Sequence, residues 1–184
     1  GDAINKPSYL PVFKETMKNL EAPLGKFAVY GSWEIWHWSG LDYYSQTGFE
    51  LLNAKRVSLK KNDETITVSG LRCDRGRFAD ETIGNLSSET YNVFLYHFPD
   101  FVKYIYDYNV DLYLCGHTHG GQIALPYYGA LITMSKTGKK YEAGLFQVGK
   151  TALYVNRCLG MDAYPPRIRF LVKPEIAVFD IIPE

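Results

Sequence analysis

The apolar run Leu112–Cys115 stops abruptly at Gly116-His117-Thr118-His119-Gly120-Gly121-Gln122. A strand ending this way must turn tightly, and glycine tolerates the backbone conformations such a turn needs. Two imidazoles two positions apart on the turn can point into one cavity, and imidazole suits zinc, iron, manganese or nickel. Two of the chain's four histidines sit here, so a metal-binding strand end outweighs the plainer reading of two surface-loop histidines.

Two histidines hold a divalent ion poorly without help, so an acidic partner and a third imidazole are expected at other strand ends. Asp2, on a loop leading into a helix, and His97, which ends the apolar run 93–96, are the candidates.

The remaining pattern supplies the scaffold. Ser8 is placed to cap a helix whose apolar positions Leu10, Phe13, Met17 and Leu20 recur at helical spacing and which ends before Pro23. Residues 27–30 read as a strand, followed by an aromatic loop of Trp33, Trp36, His37 and Trp38. Residues 56–59 and 65–71 read as a hairpin with one wet face, and Pro99-Asp100 opens a helix through about Tyr108. The strand 111–115 follows, then 145–148 and 151–155 around a Gly149-Lys150 turn, and a final alternating strand 176–182. Helices alternating with strands, then hairpins, imply stacked sheets flanked by helices.

A length of 184 residues fits one domain with a single core. Twenty Lys plus Arg against twenty Asp plus Glu argue against nucleic acid as a partner. The apolar runs are too short to span a bilayer, so a soluble domain without a transmembrane segment is expected. Cys73, Cys115 and Cys158 are odd in number and widely spaced, which predicts reduced core thiols rather than a disulfide framework. No secretory signal opens the chain, and its abrupt Gly1-Asp2 start reads as an artificial or processed boundary.

The order of motifs resembles the calcineurin-like metallophosphoesterases, most closely a bacterial branch with membrane-associated phosphodiesterases. The resemblance is carried by Gly1-Asp2, Ala22-Pro23-Leu24-Gly25, His97 with Pro99-Asp100, the Gly-His-Thr-His-Gly-Gly-Gln run, Ser135-Lys136-Thr137-Gly138-Lys139-Lys140-Tyr141, and Tyr154-Val155-Asn156-Arg157 through Pro165-Pro166. It implies an α+β fold, the α/β/β/α four-layer sandwich, lacking here its first strand. It also implies a metal-dependent phosphoester hydrolase of phosphodiesterase or pyrophosphohydrolase type with a two-metal centre. Asp2 would bridge both ions, His97 and His117 would bind the second, and His119 the first; manganese, iron, zinc and nickel are the candidate metals.

The chain departs from this pattern twice. The family's opening Asp-x-His strand, which supplies two ligands to the first metal, does not occur, so the domain 1–184 reads as the C-terminal part of a longer one, with one ion or none as an alternative to two. Gly31-Ser32-Trp33-Glu34 stands where the family has Gly-Asn-His-Asp or Gly-Asn-His-Glu. Ser32 replaces an amide ligand, and Trp33 replaces the histidine that contacts phosphate or protonates the leaving group, a proton transfer indole cannot perform. His37, four residues on, is a candidate substitute, although a structural role fits it better. The competing expectation is a degenerate member that binds a phosphorylated or lipid ligand. An aromatic rim of Trp33, Trp36 and Trp38 would suit a lipid-linked phosphoester, and Lys136, Lys139 and Lys140 a phosphate or a peripheral membrane contact; core packing and a solvated basic loop are the plainer alternatives.

Overall fold

The computed structural model describes residues 1–162 and 167–182. Pro165-Pro166, at the end of one resembling segment, lies outside the described residues.

The centre is a six-stranded sheet in the order β3-β4-β5-β6-β10-β9, built from β3 (Lys55–Lys61), β4 (Glu64–Gly70), β5 (Tyr91–Leu95), β6 (Leu112–Cys115), β9 (Gly144–Val148) and β10 (Thr151–Val155). The four inner strands run parallel, and β3 and β9 are antiparallel edges closed by the two expected hairpins. Parallel strands deliver their carboxyl ends to one side of a sheet, where sites of α/β folds form. His97 follows β5 and His117 follows β6, so the topology brings both to that side.

Side chains alternate across this sheet and fill two cores. Phe94, Tyr113 and Leu153, in register on neighbouring strands, are fully buried on one face with Leu71, Ile83 and Val110. Val68, Val93 and Leu112 face the other way and meet Val29 and Leu52. Those two residues directly follow β1 (Lys26–Ala28) and β2 (Phe49–Leu51), which pair in parallel as a second, small sheet. Gly70 permits the approach, since a Cβ there would lie 2.6 Å from Leu52 Cβ and 2.8 Å from Val29 Cγ1.

Helix α1 (Leu10–Lys18) covers the outer face of the small sheet: Leu10 and Phe13 pack with Ile4, Tyr43 and Tyr44 against Ala28, Phe49 and Leu51. The short helix α3 (Ala79–Ile83) and the 3-10 segment Pro99–Tyr104 cover the far face of the large sheet, giving four layers. The fold is α+β, as the resemblance implies. A small hairpin of β7 (Ala124–Leu125) and β8 (Gly129–Ala130) completes the strands.

Four local expectations are corrected. Ser8 does not cap α1, because the 3-10 turn Pro7–Tyr9 runs straight into the helix. The tryptophan-rich stretch is no loop: it winds into α2 (Ser32–Trp36). The segment after Pro99 is a 3-10 turn that ends at Tyr104, not a helix through Tyr108. Residues 176–182 form no strand, since their alternation meets no ladder partner among the described residues. The three cysteines are free; burial, helped by nearby carboxylates, pushes the Cys73 thiol up to about 12, and burial also raises Cys115 and Cys158.

Candidate metal centre

Asp2, His97 and His117 each offer a ligand atom, and these atoms lie within 4.8 Å of one another. His97 Nε2 is 2.9 Å from Asp2 Oδ2 and 3.2 Å from His117 Nδ1. His97 is almost fully buried. Ser32 joins them: its hydroxyl lies 3.3 Å from Asp2 Oδ2 and 3.5 Å from His97 Nε2. His119 lies outside this group of ligand atoms, yet it is close enough to feel the Asp2 charge, and among the described residues its buried Nδ1 has no hydrogen-bond partner.

Asp2 is positioned from β1 and α2. Its Oδ1 accepts the Trp33 backbone N–H at 2.7 Å. Gly31 makes room, since a Cβ there would sit 2.4 Å from Asp2 Oδ1 and 2.8 Å from His97 Cε1. Glu34, which sequence reasoning passed over, holds the whole corner: its carboxylate accepts from Gly31 N–H (2.7 Å), Asp2 N–H (2.8 Å) and Ala3 N–H (2.5 Å). The signal was its place three residues after Gly31, where a helix-capping glutamate belongs.

The histidine turn is pinned by Thr118, whose buried hydroxyl donates to Glu142 C=O at 2.7 Å and accepts from Gly120 N–H. Asp2, His117 and His119 all carry positive φ, of 58°, 69° and 51°. Such left-handed conformations cost non-glycine residues roughly 1–3 kcal/mol and gather at functional sites.

The electrostatics suit a cation. Burial raises the Asp2 carboxyl, but the hydrogen bond and charge of His97 and the Trp33 N–H outweigh it and hold the group well below the usual carboxylate range. Burial, reinforced by His97, pushes His117 down to about 4, and burial also lowers His119. A buried anion beside His117 and His119, both of which burial holds toward the neutral form, fits a borderline divalent ion such as manganese, iron or zinc.

The His117 value predicts a pH effect. The folded protein binds this proton near pH 4 and the unfolded chain near 6.5, so between these values the unfolded state carries more protons and stability falls as pH falls. In chelator, the urea-unfolding free energy should drop on the order of 2–3 kcal/mol more between pH 7 and 4 in the wild type than in His117→Ala. Equal drops would refute the assignment.

Trp33 and His37 do not join the centre. Their rings lie against each other, centroids 4.3 Å apart and tilted by 32°, so the indole contacts the ring of the expected substitute. Trp38 packs into the core over the small sheet, and only Trp36 is strongly exposed, so the three tryptophans do not form one rim. Lys139 is used locally, donating to Ala130 C=O and Glu142. Asp100 ties two of the resembling segments together by accepting from Ser135 Oγ, Lys136 N–H and Thr137 N–H.

A stacked-sheet α+β scaffold that gathers one carboxylate and two strand-end histidines offers a ligand set for a divalent metal ion. The chain belongs to the calcineurin-like metallophosphoesterases. It is 36% identical over 195 aligned positions to the uncharacterized metallophosphoesterase YkuE of Bacillus subtilis, covering 98% of this chain and 65% of that protein. It is 33% identical over 147 positions to the UDP-2,3-diacylglucosamine pyrophosphatase LpxG of Chlamydia muridarum, covering 75% of this chain and 43% of LpxG. It is 35% identical over 88 positions to phosphodiesterase YaeI of Escherichia coli, covering 48% of this chain and 31% of YaeI. The chain thus spans less than two thirds of the length of these relatives. No protein-family model and no solved structure matches it. Among the described residues no helix is long and apolar enough to cross a membrane.

Proposed function

We propose that this chain forms the metal-binding core of a phosphoester hydrolase acting on phosphodiesters or pyrophosphates. The observation that carries the reading is the Asp2–His97–His117 group at the carboxyl ends of β5 and β6. Asp2, His97 and His117 would hold one divalent ion with Ser32 beside them, and His119 would serve a second. Divalent ions, when bound, supply Lewis-acid polarisation of the phosphoryl group and activation of water near neutral pH. The protein's part is to keep Asp2 ionised and His117 unprotonated, and to fix both on strained, fully supported turns.

The second ion needs ligands beyond His119 and Asp2, and we propose that a further strand of a longer protein provides them. A cavity of about 570 Å³ lies between the layers, bordered by Phe27 and Val29 at β1, Leu95 at β5 and Leu114 at β6, and it reaches Asp2, His97 and His117. Among the described residues β1 pairs only with β2, so a strand placed there would satisfy an open edge.

Trp33 favours a second reading, a metal- and phosphate-binding module with little turnover. Manganese-dependent hydrolysis of bis(p-nitrophenyl) phosphate separates the two. Ser32→Asn with Trp33→His should raise turnover about 100-fold, the usual worth of a positioned proton donor. Unchanged turnover with intact manganese binding would place the deficit elsewhere and favour the binding module.

A further inference from the structure

His117 faces two spaces. One edge of its ring closes on His97 and Asp2, and the other borders a separate cavity of about 420 Å³. That volume lies within the roughly 300–1,000 Å³ of small-molecule sites. Tyr96, Phe98 and Phe101, from the segment after β5, make its floor, and Phe98 meets the His117 ring edge-on at 4.5 Å. Trp36 and Tyr104, 66% and 67% exposed, stand at its mouth.

The walls are tied down before any ligand arrives. The Tyr96 hydroxyl donates to Cys73 C=O at 2.6 Å, and the Asp100 carboxylate engages the turn 135–137. His117 Nε2 lies 3.2 Å from the carbonyl of Met134, which lines the cavity's remaining side. Lys103 and Lys136 border the same space and place positive charge beside it. A pre-formed aromatic cavity sharing a histidine with a metal-ligand group, and flanked by lysines, suits a ligand that joins an anion to an apolar group.

We infer that this cavity is the subsite for an apolar substituent of the phosphoester, with the phosphate at the Asp2–His97–His117 group. The inference rests on the phosphoester reading. Its test uses p-nitrophenyl esters of methyl, butyl and octyl phosphate, which share one leaving group. With manganese, kcat/KM should climb at least about tenfold from methyl to octyl, because each buried methylene favours binding. Trp36→Ala and Tyr104→Ala should abolish most of that climb and leave the methyl ester unchanged, since neither residue touches the metal ligands. A flat series in the wild type would overturn the subsite while leaving a hydrolase. If no ester is hydrolysed, the phosphoester reading fails alone and calorimetry on the metal-free protein decides the subsite. Octyl phosphate should bind at least about tenfold tighter than methyl phosphate, with the difference lost in Trp36→Ala; equal binding of the two would overturn it.

Discussion

Asp2→Ala should weaken manganese binding by more than about 100-fold in titration calorimetry at pH 7. Outer-shell partners of metal ligands are already worth roughly 10- to 100-fold, and Asp2 is the sole carboxylate in the group that includes His97 and His117. Against the cost of burial it is kept anionic by His97 at 2.9 Å and the Trp33 N–H at 2.7 Å, so its charge is in place at pH 7. Alanine also leaves the Trp33 N–H without its acceptor, and instability could masquerade as lost affinity. Asp2→Asn is the cleaner variant: its amide oxygen still accepts that N–H while the charge is gone, and the affinity loss should persist. Asparagine binding manganese within threefold of the wild type would remove Asp2 from the ligand set. The same titration tests the proposed extra strand, with one ion expected per chain here and two in a longer protein.

Much of this was legible in the sequence, for a physical reason. A run of β-branched and aromatic residues cut off by glycine or histidine gives a strand end in any context, and both hairpins, β5 and β6 follow from such local signals. The histidine turn carried its own chemistry. What the sequence hid depends on partners far along the chain. Residues 176–182 alternate like a strand, but alternation states a preference for a half-buried surface and no ladder was there to use it. The tryptophan stretch holds bulky residues that disfavour a long helix, yet five residues wind up once Glu34 accepts the Gly31 N–H and Asp2 the Trp33 N–H at its amino end. Asp100 looked like a helix opener, and its main work is to hold the turn at 135–137, thirty-five residues later. That link is what gives the 420 Å³ cavity a fixed wall, and spacing alone cannot display it.

Glu34→Ala should cost about 3–5 kcal/mol of unfolding free energy in urea, with chelator present so that metal plays no part. Glu34 is 1% exposed and its two oxygens take three backbone donors: Gly31, Asp2 and Ala3. Removing a buried acceptor strands each donor at about 1–3 kcal/mol, although the Gly1–Ala3 segment can shift toward water and recover part of that. The loss is large beside the 5–15 kcal/mol that typically holds a domain together. Glu34→Gln sharpens the result, because one oxygen remains and the new amide group must face an N–H donor; it should lie between the wild type and alanine. Both variants should also lose manganese affinity, since Asp2 is anchored through its own N–H to this carboxylate. Should both unfold within about 1 kcal/mol of the wild type, the Gly31–Glu34 corner would not be what fixes Asp2, and the burden of orienting that ligand would fall on the Trp33 N–H and His97 alone.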